Sequence, residues 1–141
     1  NHPAAAAWLR DLARVRHQVR EFFNHGRMLA PPDIEPRATV TADWHRRSAG
    51  DMIVTTDAVL AAVWQGRDGR VLVPLVNCSG ETQDCKLRLA TQQMGWRDGA
   101  TIALTKVTPN GTEQLPAVRA GEDLRVPLAP HEVCALLLTS P

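Results

Sequence analysis

The sequence predicts a mainly β protein: an antiparallel β-sandwich of seven or eight strands with Greek-key connections, preceded by one amphipathic α-helix. Three observations support this fold class. Apolar residues spaced by four and three cover the first part of the chain, short alternating runs follow from Arg37 onward, and turn-forming dipeptides separate those runs. We therefore divide the chain into a helix with its linker, residues 1–32, and a sandwich, residues 33–141.

A single stripe of apolar side chains predicts the helix over residues 4–25. Asn24 and Gly26 supply a C-terminal stop, and Pro31–Pro32 prevents continuation. The stripe needs a covering surface, which could be the sandwich, a second copy of the chain or a domain outside this sequence. The predicted interface consists of Trp8, Leu12, Val15, Val19 and Phe22.

The remaining sequence consists of short runs typical of strands. In the first of them, RATVTADWH, apolar and polar residues alternate as in a half-buried strand. Asp68-Gly69 and Asn110-Gly111 each separate two runs and predict hairpin turns. Pro74 lies inside a run and predicts an edge position or a bulge. The last run, HEVCALLLT, predicts a mostly buried strand.

Composition excludes some classes of function. The net charge of +1 argues against binding nucleic acid or a membrane surface through bulk charge. No stretch approaches the ~20 apolar residues that span a bilayer. Residues 1–32 carry five Arg against two acids, which indicates either a basic helix of separate origin or an ordinary solvated helix face. The compartment cannot be read from this sequence.

The three cysteines and five histidines do not form a recognisable metal motif. The absence of a C-x-x-C spacing excludes a zinc ribbon and a thioredoxin-like motif. Cys78 and Cys85 bracket the turn-like SGETQD and could be a disulfide or two free thiols, whereas Cys134 is predicted in the core. No pair of histidines has ligand spacing, so we expect neither a metal nor another cofactor.

The two ends of the chain and one internal turn carry a family resemblance. LRDLARVRHQVREFFNHGRML is similar to the last barrel helix and its exit in retaining glycoside hydrolases of the amylase and α-galactosidase type. LAPHEVCALLL resembles the closing strand of the sandwich that follows such barrels, and Asn77-Cys78-Ser79 resembles a strand end in it. The matching residues near the start are Arg16, Phe22, Phe23, Gly26, Arg27, Met28 and Leu29.

The resemblance implies that the chain is a fragment, with residues 1–32 as the last helix of a missing barrel. The acid and nucleophile of these enzymes lie on barrel strands that this sequence lacks, so no catalytic residue is carried over. The expected function is that of a non-catalytic accessory domain which stabilises the barrel. Its partner would be the catalytic barrel of the parent chain, and the exposed helix could also join two copies.

The alternative function is that of a carbohydrate-binding module, because sugars dock on exposed aromatic faces beside polar groups. The best candidate is Trp96, in GWRDG, with Arg97 and Asp98 next to it. Trp44 and Trp64 lie on apolar sides of their runs and are predicted to be core residues. The densest group of carboxylates, interpreted as ordinary surface acids, lies near Trp44 and His45 and consists of Asp43, Asp51 and Asp57.

Overall fold

The computed structural model describes residues 3–46 and 50–140, with the backbone alone for 44–46. It confirms a mainly β fold with antiparallel sheets and an N-terminal helical segment. The helical segment consists of α1 (Pro3–Gln18) and α2 (Arg20–His25). The strands are β1 (Arg27–Leu29), β2 (Asp33–Glu35), β3 (Thr39–Arg46), β4 (Gly50–Asp57), β5 (Val59–Ala61), β6 (Val63–Gln65), β7 (Val71–Asn77), β8 (Gln83–Arg88), β9 (Thr101–Thr108), β10 (Gly111–Arg119), β11 (Leu124–Leu128) and β12 (Val133–Thr139).

The elements form three layers. The central sheet has the order β1-β6-β7-β12-β9-β10, and β5 also pairs with β7. A small sheet, β11-β8-β2, covers one face of it, and the two helices cover the other. β3 and β4 pair with each other in a separate two-stranded sheet, which we call the arm.

The main core lies between the central and small sheets. It is built by alternate residues of each strand, as the period of two requires. Its buried members are Val59, Val63, Val71, Val73, Leu75, Cys85, Leu87, Met94, Ile102, Leu104, Leu124, Val126, Leu128, Cys134, Leu136 and Leu138.

The helices build a second core on the opposite face of the central sheet. Val15, Val19 and Phe22 are buried there, so this part of the stripe is covered by the chain's own sheet. Arg70 reinforces the contact: its guanidinium binds Glu21 at 2.7 Å and lies 5.4 Å from the centre of the Phe22 ring. The sheet residues of this second core are Leu72, Val107, Val133 and Ala135.

The helical segment ends where the sequence predicts, although it is interrupted once, at Val19. Gly26 follows α2 in extended conformation, and its N–H donates to the carbonyl of Phe22 at 2.8 Å. A Cβ at position 26 would lie 2.5 Å from that carbonyl oxygen and 2.8 Å from the one of Gln65, so only glycine fits. β1 follows at once and pairs with β6, which joins residues 27–29 to the central sheet. The domain boundary after residue 32 stays a prediction.

Pro74 is at neither an edge nor a bulge. It lies in β7, between β12 on one side and β5 with β6 on the other. The register of β5 and β6 on β7 is continuous across the gap at Ala62, because the pairs Ala61–Leu75 and Trp64–Leu72 belong to one alignment. Proline has no N–H to donate, so the ladder is interrupted there while the strand continues. The prediction from Pro74 was therefore wrong.

The two predicted hairpin turns are present. Asp68-Gly69 joins β6 to β7, and Gly69 has a φ of 84°. Asn110-Gly111 joins β9 to β10, with Gly111 paired to Thr108. Both glycines have the positive φ that these tight turns favour.

The first predicted strand belongs to the arm instead of the sandwich. Its partner β4, GDMIVTTD, was not predicted, although it contains the β-branched residues typical of a strand. Alternation shows that a strand has two unlike faces, but it does not show which sheet the strand joins.

We expect Phe22→Ala to lower the free energy of unfolding by about 3–5 kcal/mol, because it opens a cavity under the helices. Urea titration followed by circular dichroism measures this change. Leu9→Ala, at a position that is 60% exposed, is the control and should have little effect. A loss below 1 kcal/mol for Phe22→Ala would show that the helices are not part of the cooperative fold.

Candidate functional site

An apolar groove of about 560 Å³ lies between the helices and the central sheet, and we call it the helix–sheet groove. Its one ionisable side chain from the helices is Arg16, whose guanidinium lies 5.9 Å from the centre of the Phe23 ring. Such a surface can bind apolar groups, but it offers no acid–base pair. The groove is lined by Leu12, Ala13, Val15, Arg16, Val19, Phe23, Pro74, Val76, Val133 and Cys134.

The five residues of the predicted interface fall into two groups. Val15, Val19 and Phe22 are buried against the chain's own central sheet. Trp8 and Leu12 are half-buried and pack at the edge of the same cluster. The indole N–H of Trp8 is buried and has no hydrogen-bond partner among the described residues. Contact of this end of α1 with a further domain stays a prediction.

The predicted sugar platform is only partly available. Trp96 is half-buried and packs against the main core, whereas Arg97 and Asp98 are exposed beside it. Trp64 is also half-buried, and its ring meets Phe23 edge-on at 5.3 Å, so part of it packs in the second core. The side chains of Trp44 and His45 lie outside the described residues.

The three carboxylates near Trp44 are carried by the arm. Asp43 pairs with Ile53, and Asp57 pairs with Thr39 at the root of the arm. Asp51 is one diagonal step from Asp43 across the two strands, a separation of roughly 7–8 Å. All three are exposed on an open ribbon rather than gathered in a cleft.

A cluster of ion pairs connects β2 and β8 of the small sheet with the residue that precedes β11. The Lys86 ammonium lies 2.9 Å from Glu35 and 3.5 Å from Asp123, and Arg88 binds Asp123 at 3.0 Å. The hydrogen bond from Lys86 lowers the pKa of Glu35, and the one from Arg88 lowers the pKa of Asp123. These carboxylates are therefore held in their charged form and act as structural partners.

The most enclosed polar group is the fully buried side chain of Asn77. Its amide nitrogen donates to the carbonyls of Glu81 and Ala129, each at 2.8 Å. Its oxygen accepts from the backbone N–H and the hydroxyl of Ser79, at 2.9 and 2.7 Å. One side chain thus joins the end of β7 to the following loop and to the residues between β11 and β12.

The cysteines are free thiols. Cys78 follows β7 in the central sheet while Cys85 lies in β8 of the small sheet, so they do not face each other across neighbouring strands. Cys134 is buried in the core, as predicted. Burial raises its pKa to about 12, so this thiol is not activated as a nucleophile.

Two kinds of feature are absent from the described residues. Across 3–46 and 50–140, no group of three or more His, Cys, Asp or Glu side chains is arranged to hold a metal ion. Neither described helix combines the length and the apolar character needed to cross a membrane.

Comparison with known proteins gives two structural similarities. No protein-family model and no curated protein matches the chain. A protein from Bacillus halodurans C-125 assigned as an α-N-acetylgalactosaminidase matches 71% of this chain at 21% identity, with a TM-score of 0.46. A GH27 β-L-arabinopyranosidase from Geobacillus stearothermophilus, in complex with arabinose, matches 71% at 14% identity, with a TM-score of 0.42. The chain spans 20% and 19% of their respective lengths.

Sequence reasoning missed the two features that stand out most. Asn77 was recognised only as a strand end, because two of the carbonyls it binds, those of Leu128 and Ala129, come from a segment distant in the sequence. Met52 and Ile53 were not singled out, although Asp-Met-Ile-Val-Thr-Thr is a signal for an exposed strand.

Asn77→Ala should lower the free energy of unfolding by about 3 kcal/mol, because each buried polar group left unpaired costs roughly 1–3 kcal/mol. Denaturant unfolding monitored by tryptophan fluorescence tests this. The matched control is Asn110→Ala, in an exposed turn, for which we expect a change within about 0.5 kcal/mol. Equal effects of the two substitutions would contradict the role given to Asn77.

We also expect Asp123→Asn to reduce stability at neutral pH and to differ progressively less from wild type in acid. The folded pKa of Asp123 lies below its reference value of 3.8. Its contribution to stability is therefore present above that value and is lost as the pH falls through the lower, folded value. Urea midpoints measured across this range test the prediction, with exposed Asp98→Asn as control. A difference that is constant at all pH values would contradict it.

Proposed function

We propose that this chain is a non-catalytic accessory β-sandwich domain of a glycoside-hydrolase-like protein and that it stabilises the catalytic barrel of that protein. The observation that carries the proposal is that the interior of the domain is filled by apolar packing and contains no cluster of reactive side chains among the described residues. Both faces of the central sheet are covered by the chain's own layers, and the side chains between the layers are almost all apolar. The polar side chains that are buried, Asn77 and Ser79, bind each other and nearby backbone. Such an interior suits a structural task.

The state of the carboxyls also supports a non-catalytic role. Glycoside hydrolysis uses a carboxyl whose pKa is raised so that it can donate a proton, next to a second carboxylate. The pKa shifts of Glu35, Asp68 and Asp123 are all in the opposite direction. For Asp68, burial favours a higher pKa, but the hydrogen bonds and charge of Arg70 outweigh it. These groups are charged structural partners at neutral pH.

The barrel would contact the first turns of α1. Leu9 is 60% exposed there, next to half-buried Trp8 and Leu12. The part of the stripe nearer the end of the helices is already covered and belongs to the second core. Arg10 and Arg14 are exposed on the same helix and have no ion pair within the described part of the chain, so they are available to acidic groups of the barrel.

Two measurements test this function. The chain alone should not hydrolyse aryl-glycosides, and turnover that is abolished by one carboxylate substitution would overturn the non-catalytic role. Removing the chain from the protein that contains it should lower the melting temperature of the remaining catalytic domain by several degrees, since each ~1 kcal/mol lost corresponds to roughly 2–4 °C in a domain of 150–250 residues. An unchanged melting temperature would contradict the stabilising role.

The second candidate function is carbohydrate binding, and one observation favours it: Trp96 remains partly exposed beside Arg97 and Asp98. Titration with neutral oligosaccharides, followed by tryptophan fluorescence, tests it. Because Trp96 also packs on the core, Arg97→Ala is the better variant, and Arg67→Ala in the β6–β7 turn is the control. A saturable change that only Arg97→Ala removes would establish binding there.

A further inference from the structure

The arm is the one part of the described fold that no other layer covers. Its strands pair from Thr39–Asp57 to Arg46–Gly50 and join neither the central nor the small sheet. At roughly 3.4 Å per residue, each eight-residue strand is about 27 Å long. The root is fixed to the body, because Ala58 donates to the carbonyl of Ala38 at 2.8 Å and accepts from the N–H of Cys78 at 2.7 Å.

The register makes the arm amphipathic. One face carries Val40, Ala42, Met52 and Val54; Ala42 lies opposite Val54, whereas Val40 lies opposite Thr56 and Met52 opposite Trp44. Met52 is 51% exposed. The opposite face is mostly polar, and there the hydroxyls of Thr41 and Thr55 lie 3.1 Å apart. The exception is Ile53 on this polar face, whose exposed fraction of 73% is the largest among the large apolar residues described.

The pairing of β3 with β4 alone is not enough to make the arm stable in water. A two-stranded ribbon is marginally stable in water, and three strands or a covering layer are needed for independent stability. Proteins normally protect an open strand edge with charged side chains, especially lysine, with proline or with a bulge. In residues 51–57, DMIVTTD, the charges are confined to the two ends, Asp51 and Asp57, no proline is present, and the register against β3 has no bulge.

We propose that β4 pairs antiparallel with β4 of a second copy of this chain, so that two arms form one four-stranded ribbon. A two-fold axis perpendicular to the ribbon keeps each residue on its own face, so the two residues that oppose each other must be an even number apart in sequence. Centring the axis on Ile53 opposes Ile53 to its own copy. Met52 then lies opposite Val54 of the second copy, and the two apolar faces become continuous.

Charge disfavours the register that is centred on Val54. Centring the axis on Val54 would oppose Asp51 to Asp57 of the second copy, and like charges directly opposite each other destabilise a sheet. With the axis on Ile53, Asp51 lies opposite Thr55 of the second copy instead. The outer edge of β3 is less suited to self-pairing, because it ends in the basic residues His45 and Arg46.

This surface differs from the one that the sequence suggested for self-association, which is the apolar stripe of the helices. Val15, Val19 and Phe22 of that stripe are buried against the central sheet, whereas the arm is open. In the proposed dimer the root of each arm lies beside the far end of the other, which places the two sandwiches at opposite ends of the ribbon. The inference rests on the arm alone and holds whether or not the chain serves a catalytic barrel.

Sedimentation velocity of the 141-residue chain, from low to high micromolar concentration, tests the dimer. We expect a dimer that Ile53→Lys converts to monomer, with the circular dichroism spectrum unchanged. The matched control is Leu9→Lys, which makes the same change at another exposed apolar residue and should leave the dimer intact. A wild-type monomer throughout the range, or a dimer that survives Ile53→Lys, would overturn the proposal.

Cross-linking tests the register separately. In a Cys78→Ser background, which removes the half-exposed thiol, Ile53→Cys should give a disulfide-linked dimer under mild oxidation because the axis passes through that position. Thr55→Cys, on the same face, lies opposite Asp51 of the second copy and should cross-link much less. Equal cross-linking at the two positions would contradict the proposed axis.

Discussion

The fold depends on burial of the central pair of strands, β7 and β12, on both faces. Val71, Val73 and Leu75 face the small sheet, while Leu72 between them faces the helices. Each set is apolar because each face has its own cover. Removing either covering layer would expose a row of large aliphatic side chains to water. The lost stabilisation would be about 25 cal/mol for each Å² of apolar surface exposed. The helices are therefore as much a part of this fold as the sheets.

Polar constraints then hold the layers in one arrangement. Asn77 binds backbone groups that the sheets leave unpaired where β7 ends and where β11 leads into β12. Arg70 connects the β6–β7 turn to α2 through Glu21, and Lys86 connects β8 to β2 through Glu35. A hydrophobic interior fixes how much surface is buried, whereas these directional bonds fix which loop lies against which strand.

The chemistry of the chain is consistent with a structural and associative role. The titratable groups with displaced pKa values are paired with opposite charges or, like Cys134, rendered inert by burial. Apolar surface remains open in the helix–sheet groove, at the first turns of α1 and on the arm. Open apolar surface on a well-packed body is typical of proteins that contact other proteins.

The sequence by itself determined the local elements. The spacing of the apolar residues from Trp8 to Phe22 predicted the helical segment, and Gly26 predicted its end. Asp68-Gly69 and Asn110-Gly111 predicted two hairpins. These features depend on neighbouring residues alone. Only the tertiary structure decided which surfaces meet. The stripe lies on the chain's own sheet, β3 leaves the sandwich for the arm, and Asn77 finds its carbonyls across the fold. An apolar pattern predicts that a face is buried, but burial against any apolar surface stabilises it equally. Which surface covers the face is therefore determined by the packing of the whole chain.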